Sequence, residues 1–252
     1  MIDTHVHFWD INLNIHAWVK TRADPLLMRS FNLDDYIHLQ GRVDGLVTIE
    51  AADNRHTLQE VAWIAQHIVT NPYSINVKHM AYIDVLQTPD DFRQQLAVFT
   101  AYPFVCGFRQ IFPLTQVFNS DYLLYFKNNL GLLREKNYVF NAQMKPRQLL
   151  QVKDTLIESG VRCVIDHAGL PGMGNEHSQQ QWLAMLHAFS GTEVYFKLTH
   201  TAPEIVHSVV ETLARHQLLI GSNFPVNQQK LTDFPQACIA YNNVNARQLF
   251  NF

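Results

Sequence analysis

Short apolar runs rich in β-branched residues alternate along the chain with longer segments of helical spacing. Eight runs are predicted strands, at residues 2–8, 43–51, 75–85, 104–111, 138–143, 161–167, 193–199 and 218–222. Amphipathic segments lie near 89–102, 121–136, 146–158, 178–190 and 203–215, and a last one lies near 243–250. After the second run, Val61, Ile64 and Ile68 share one helix face. The pattern therefore predicts repeated strand–helix units.

This alternation predicts parallel strands joined by helical crossovers, since antiparallel hairpins need only tight turns. Eight units in 252 residues favour a single (β/α)8 barrel domain over residues 1–252. A doubly wound open sheet is the structural alternative. No G-x-G-x-x-G or Walker loop follows a predicted strand, which weakens that alternative and argues against a nucleotide cofactor.

The composition narrows the possible partners. A net charge of -3 without basic runs argues against nucleic acid and anionic membranes as partners. No stretch approaches 18 consecutive apolar residues, so we expect no membrane span. The amino terminus lacks a signal-peptide pattern, and the odd number of cysteines, three, does not fit a disulfide framework. We expect a cytoplasmic protein; the sequence leaves its oligomeric state open.

Histidines mark the ends of two predicted strands. His5 and His7 are two residues apart on the first strand, so both imidazoles face the same side, which is half of a typical zinc site. His167 follows the sixth strand, where a barrel carries its active site. Asp166 is expected to point the opposite way, towards a helix or loop. Structural histidines, hydrogen-bonded inside the fold, are the alternative interpretation.

A long segment follows the first strand. Residues 9–32, which include Trp18, are expected to form a loop over the barrel mouth, because loops of that length in compact domains are usually functional. Trp18 is a candidate for a hydrophobic wall that contacts the substrate, although packing within this loop alone would also explain a tryptophan here.

Six motifs occur in order along the whole chain: IDTHVHFWD, VDGLVTIEAAD, GFRQ, VIDHAGLP, FKLT and GSNFPV, followed by NNVNARQLF near the end. Together they resemble the amidohydrolase-related family of TIM-barrel, metal-dependent hydrolase fold that contains the sugar lactonases and the pyrone dicarboxylate lactonases. The resemblance implies an amidohydrolase-type barrel that hydrolyses a small lactone or related carboxylic ester.

The resemblance also implies roles for individual residues. His5, His7 and His167 would be catalytic histidines and, if a metal is bound, its ligands. Arg109 would bind a substrate carboxylate or polarise the substrate carbonyl. Apart from the resemblance, Glu50 on the second predicted strand is a further candidate for contact with the substrate, although barrel packing or a structural ion pair would explain it at least as well. Metal use differs among such lactonases, so the resemblance permits one zinc or other divalent ion and equally a metal-free site.

Strand eight departs from the family pattern. Asn223 stands where the family carries an Asp that deprotonates the attacking water, and an amide cannot accept that proton. Three interpretations remain open. Another base, such as His200 or His7, replaces it; the barrel has lost hydrolysis and binds a carboxylated ligand; or the chain runs a different reaction or uses Asn223 to orient a zinc-activated water.

Other polar residues at strand ends are ambiguous. His200 follows strand seven, where the family commonly has a small residue, and it is either a substrate-site imidazole or a solvated loop residue. Tyr82, Asp84 and Lys197 either line the mouth or serve packing and ion pairs. No bridging Lys or Glu is evident on strands four and five, so a two-metal site is not expected.

Overall fold

The computed structural model describes residues 1–172, 175–199, 202–227 and 229–252. The strands are β1 Ile2–Val6, β2 Gly45–Ile49, β3 Asn76–Tyr82, β4 Val105–Ile111, β5 Val139–Gln143, β6 Arg162–Ile165, β7 Val194–Leu198 and β8 Leu218–Ile220. The helices are α1 Ala17–Arg22, α2 Leu33–Gln40, α3 Thr57–Ile64, α4 Pro89–Phe99, α5 Ser120–Glu135, α6 Pro146–Glu158, α7 Glu176–Phe189, α8 Pro203–Thr212 and α9 Gln236–Phe250. Each predicted strand and helix is present, with bounds shifted by a few residues; only α9 begins well before its prediction.

Local sequence signals start several of the helices. Asn32 caps α2, because its side chain accepts from the backbone N–H groups of Asp34 and Asp35. Thr88 caps α4 in the same way, and Pro89 occupies the first turn, where its missing N–H costs nothing. These caps fix where the chain leaves each loop for a helix.

All eight strands are parallel and pair in chain order, from β1 to β8. The ring closes where Val6 bridges Phe224, and the Asn223 N–H donates to the His5 carbonyl at 2.9 Å. In this register Arg109 on β4 lies level with Asn141 on β5. The predicted (β/α)8 barrel is confirmed, and the open-sheet alternative is excluded.

Apolar side chains fill two regions. The larger core lies between the sheet and the helices. The smaller contains Val47, Met80 and Val164 together with Leu249 and Phe250 of α9. The Leu249 carbonyl accepts from Arg162, which begins β6, so α9 covers the end at which the strands start. Polar residues are thereby left to the opposite end, where the strands finish.

The segment after β1 is more ordered than an open loop. A 3₁₀ turn at Ile11–Leu13 and helix α1 divide it. Trp9 pairs with Phe31 through two backbone hydrogen bonds of 3.2 and 2.8 Å, which draws the segment closed at its base. None of the helices within the described residues has the length and apolar character needed to cross a membrane.

Candidate active site

A cavity of about 460 Å³ opens at the carboxyl ends of the strands. Its walls carry six of the residues selected from the sequence: His7, Trp18, Glu50, Arg109, His167 and Asn223. They also carry Arg22, Ala51, Ala52, Asp53, Asn54, Ile111, Gln143 and Val226. His5 is fully buried against His7, and His200 lies outside the described residues.

His5 on β1 and His7, directly after this strand, face each other as the strand period predicts. Their Nε2 atoms lie 3.1 Å apart. His7 Nδ1 lies 3.1 Å from the carbonyl oxygen of Ile49, so Nδ1 must carry the proton and donate it. The His7 Nε2 lone pair is therefore directed towards His5. Burial, reinforced by the Arg109 charge, lowers the pKa of His7 to about 3 and keeps the ring neutral.

Neither neutral tautomer of His5 satisfies its surroundings. Its Nδ1 lies 3.3 Å from Asp166 Oδ1. A proton on Nδ1 would face the carboxylate but leave two lone pairs opposed at the His5–His7 contact. A proton on Nε2 would donate to His7 but turn the Nδ1 lone pair towards the carboxylate. Burial lowers the pKa of His5 well below its usual value, which opposes a second proton. A cation at the two Nε2 atoms would remove the conflict.

Asp166 and His167 enter the site through a turn. Strand alternation ends at Ile165, and His167 and Ala168 both have left-handed backbones with φ 52°. Both Asp166 and His167 consequently reach the barrel interior, where Asp166 is fully buried and His167 lines the cavity. The prediction that Asp166 faces a helix or loop is wrong, because the strand period does not extend through this turn. His167 Nδ1 lies 2.7 Å from Thr199 Oγ1.

Arg109 is held on three sides. Its Nε donates to Asp166 at 2.7 Å, its Nη1 to Glu50 at 2.6 Å, and its Nη2 to Gln143 at 2.6 Å. The side chain is 4% exposed, so these are buried, charge-assisted bonds that fix the guanidinium plane. Two of its N–H groups remain beyond these three bonds, because a guanidinium has five.

Lys197 completes the ion-pair network. Its ammonium lies 3.1 Å from Asp166 Oδ1 and donates to Asn141 at 2.8 Å. Burial would raise the pKa of Asp166, but the charges of Lys197 and Arg109 hold that pKa well below its usual range. Burial also raises the pKa of Glu50, against the opposing charge of Arg109. Counted as ionised, these two cations and two carboxylates balance.

Asn223 is placed by backbone bonds from β1. It has a left-handed backbone with φ 54°, and its N–H donates to the His5 carbonyl. Next to it, a Cβ on Gly221 would lie 2.4 Å from the Cβ of His5, so only glycine allows this approach. Asp3 accepts from the N–H groups of Ser222 and His5, which ties β8 to β1.

Two side chains hold the outer wall. Trp18 Nε1 donates to the Ala51 carbonyl at 2.5 Å, and its ring meets Trp9 edge-on. Glu60 of α3 accepts from the N–H groups of Ala51 and Ala52 at 2.7 and 3.1 Å. Burial raises the pKa of Glu60 to about 8, with the neighbouring Glu50 charge adding to the effect.

Several residues of the cavity wall were not predicted from the sequence, and the roles of others were left open. Gln143 lies at the end of β5 and was not selected as a site residue, although every β-strand end of a barrel offers this position. Lys197 forms an ion pair with Asp166, which was one of the two roles left open for it, the other being to line the mouth of the barrel. Asp84 accepts from Leu86 and Gln110, and neither it nor Tyr82 is among the wall residues described.

The family match covers all eight strands and the helices up to the start of α9. The amidohydrolase family model matches residues 2–238. This chain belongs to the amidohydrolase family. The matched region contains every site residue named above, from His5 to Asn223. No curated protein shows significant similarity to this amidohydrolase.

Solved structures share the barrel at low sequence identity. An amidohydrolase from Burkholderia multivorans with bound HEPES has a TM-score of 0.75 at 17% identity, covering 100% of this chain and 99% of that one. A Burkholderia multivorans amidohydrolase structure with bound zinc has a TM-score of 0.68 at 18% identity, covering 98% and 91%. A probable 2-pyrone-4,6-dicarboxylic acid hydrolase from Acinetobacter baumannii with citric acid bound has a TM-score of 0.69 at 18% identity, covering 100% and 99%.

The donor atoms fit a single divalent cation. The opposed Nε2 atoms of His5 and His7, 3.1 Å apart, are the arrangement that a metal would relieve. His5 Nδ1 would then donate to Asp166, as second-shell carboxylates commonly accept from ligand imidazoles. Ligand atoms of His5, Asp166 and His167 lie within 4.8 Å of one another. Both Asp166 oxygens already meet cations, Arg109 and Lys197, so within this group the two histidines are the better candidates for metal ligands.

Proposed function

We propose that this amidohydrolase opens a small lactone or related carboxylic ester by attack of water on the carbonyl. The supporting observation is that one cavity brings His7, His167, Arg109, Glu50 and Asn223 to the carboxyl ends of the strands. Its volume of about 460 Å³ is in the range of small-molecule sites. The likeness to a probable pyrone dicarboxylate hydrolase with citric acid bound favours a small carboxylated substrate.

His5, His7 and His167 are the proposed metal ligands, with zinc as the first candidate. A bound ion would lower the pKa of a water molecule and polarise the substrate carbonyl. Two contacts support this ligand set, because the Ile49 carbonyl accepts from His7 and the Asp166 carboxylate lies beside His5, and such partners would orient both imidazoles towards an ion. The zinc-bound structural neighbour supports this assignment.

Asn223 is proposed to orient the attacking water. Its carboxamide lines the cavity and offers one acceptor and two donor hydrogens, but it has no group that takes a proton at neutral pH. The buried, anchored backbone of β8 limits the freedom of this side chain. Asn223 would thus position the water molecule, and another group must act as the base that deprotonates it.

Glu50 is the proposed base. It is a carboxylate in the same cavity wall as His7 and Asn223, and its raised pKa favours proton uptake. His7 is a poorer base, because its pKa lies at about 3 and its Nδ1 proton is committed to Ile49. Asp53, the other carboxylate among the described wall residues, accepts from the Ala17 N–H with its Oδ1.

Arg109 is proposed to stabilise the oxyanion that forms on the carbonyl. Its plane is fixed by Asp166, Glu50 and Gln143, so its two remaining N–H groups need little reorganisation during the reaction. When Glu50 takes up a proton, its charge near Arg109 is lost. The guanidinium then faces the new oxyanion with more positive charge uncompensated. When the oxyanion re-forms the carbonyl and the ring C–O bond breaks, Glu50 returns its proton to the leaving alkoxide oxygen and is a carboxylate again.

A lactone panel tests this function. Sugar lactones and carboxylated lactones are incubated with wild type, with Asn223→Asp and with Asn128→Asp, an exposed control on α5. Turnover by wild type that Asn223→Asp does not improve supports hydrolysis with a base other than residue 223. If none of the three proteins hydrolyses any lactone, with or without added zinc, the proposed lactonase activity is wrong.

A binding protein for a small carboxylated ligand is the second candidate. The absence of a titratable group at Asn223 favours it, because binding needs only the Arg and His donors. In the panel, silent wild type with activity gained by Asn223→Asp identifies an intact site that lacks its base.

In either role we place the chain in the cytoplasm, since its cysteines, Cys106, Cys163 and Cys238, are unpaired thiols in the structure.

A further inference from the structure

Two arginines line the cavity, and they differ in how far their charge is used. Arg109 is 4% exposed and already donates to two carboxylates and an amide. A substrate carboxylate placed there would compete with Asp166 and Glu50 for the same guanidinium. The Arg109 charge is therefore suited to a carbonyl oxygen that becomes negative only during the reaction.

Arg22 is the second arginine of the wall. Its side chain is 49% exposed, and of the described carboxylates only that of Asp24 comes into ion-pair range, 4.0 Å from Nε. That distance is too long for a hydrogen bond. Arg22 thus brings a positive charge and N–H donors to the mouth of the cavity. Within the described residues, that charge has only the distant Asp24 carboxylate as an ion-pair partner.

Helix α1 carries Arg22 into the cavity wall. Trp18 and Arg22 are four residues apart, so they lie on one face of the helix, and both line the cavity. Trp18 is bonded to the Ala51 carbonyl, and the Ala17 N–H donates to Asp53. These two bonds hold the first turn of this short helix against the segment that follows β2, and Arg22 is the last residue of its second turn.

We propose that Arg22 is the specificity-determining residue, which binds a carboxylate of the substrate at the cavity mouth while Arg109 acts on the carbonyl inside. This inference rests on the proposed lactone or ester hydrolysis and assigns its anion recognition to one residue. Trp18 would pack against the ring that joins the two groups. The substrate class is a single-ring lactone or ester with a carboxylate outside the scissile bond.

Paired probes isolate the charge. The probes are 5-oxotetrahydrofuran-2-carboxylate and its uncharged carboxamide, which share one lactone ring. They are assayed with wild type, Arg22→Gln, Arg22→Lys and the control Arg55→Gln, an exposed arginine of the next loop that is absent from the described cavity wall. For each protein kcat and KM are measured, together with calorimetric affinity for both probes.

Wild type is expected to prefer the carboxylate, and Arg22→Gln to raise KM for it about tenfold, as loss of a charge-assisted hydrogen bond would. The carboxamide should be unaffected, kcat unchanged, Arg22→Lys intermediate and Arg55→Gln like wild type. Equal KM values for the carboxylate in wild type and Arg22→Gln would overturn the inference.

Binding separates this inference from the proposed function. If no protein hydrolyses either probe, hydrolysis of this lactone class fails, but the calorimetric result still decides the role of Arg22. Carboxylate affinity that falls about tenfold in Arg22→Gln alone supports anion recognition at the mouth. No carboxylate binding by wild type, or equal binding by Arg22→Gln, overturns it.

Discussion

Lys197 places its ammonium nitrogen 3.1 Å from Asp166 Oδ1, and both side chains are fully buried. The pair joins β7 to the turn that follows β6, beneath the cavity. Because Asp166 also binds Arg109 and faces His5, the position of three other site groups depends on one carboxylate. Buried pairs of this kind cost desolvation when formed, and they cost more when one partner is removed.

Removing the Lys197 charge should destabilise the barrel. Lys197→Met keeps the length of the side chain but leaves Asp166 with Arg109 as its one full cationic partner among the described residues, and we expect a loss of about 3 kcal/mol in the free energy of unfolding. Urea denaturation measures it. Lys127→Met, which breaks an exposed pair with Glu158, is the control and should change stability little. Equal effects of the two variants would mean that burial of the pair is unimportant.

The histidine cluster should take up one zinc ion per chain. Calorimetric titration of metal-free protein measures stoichiometry and affinity. His7→Ala should abolish tight binding, because one of the two opposed Nε2 donors is lost. The exposed His207 of α8 gives the control, His207→Ala, which should bind as wild type does. Unaltered zinc affinity in His7→Ala would contradict the proposed ligand set.

Glu60 should make stability fall with rising pH. Its pKa is about 8 in the folded protein against a usual 4.5, so between these values the folded state binds a proton that the unfolded state has released. Its contribution is complete below about pH 4.5 and is lost as pH rises through 8. Glu60→Gln keeps an acceptor for the N–H groups of Ala51 and Ala52 but does not titrate. It should therefore reduce the dependence of the unfolding free energy on pH between these two values.

Urea denaturation at pH 5, 7 and 8.5 measures the effect of Glu60. The expected gain of Glu60→Gln over wild type grows by at most about 1.4 kcal/mol per pH unit across the window. Asp3, whose pKa burial raises to about 6, adds a slope of its own over the narrower range between about pH 4 and 6, and it does so equally in both proteins. Glu204→Gln, on the exposed side of α8, is the control. A constant difference between Glu60→Gln and wild type at all three pH values would refute the assignment.

Glu50→Gln should slow hydrolysis without greatly weakening substrate binding. The amide keeps an acceptor for Arg109 but takes up no proton, so kcat should fall by about 10²–10⁴ while KM changes little. The acid limb of the pH–rate profile should disappear with it. Asp84→Asn alters a carboxylate outside the described cavity wall and should keep wild-type kcat. A kcat for Glu50→Gln near that of wild type would exclude Glu50 as base.

The strand and helix pattern was sufficient to predict the barrel and the orientation of His5 and His7. Both follow from regular periods, of 3.6 residues for helices and two for strands. Asp166 shows where such reasoning ends, because two left-handed residues after Ile165 redirect the chain, and no period encodes them. Sequence could have flagged the turn only through Gly169, which has φ 74° and follows them.

Other site features depend on distances across the barrel. The three acceptors around Arg109 come from the residue after β2, from β5 and from the turn after β6, and their convergence is set by register. Arg22 appeared only as part of a long loop, since a six-residue helix is too short to show a clear period. Its place in the wall follows from the packing of α1 against the segment after β2.

The closure of β1 against β8 has a consequence for synthesis on the ribosome. Thr4 Oγ1 donates to the Ile220 carbonyl across 216 residues of chain. At about 5–20 residues per second, His5 and His7 leave the ribosome roughly 10–45 s before the strand that encloses them. During that interval a nascent chain displays two uncovered imidazoles to any metal ion or chaperone nearby. The active site therefore cannot be completed until β8 has emerged from the ribosome.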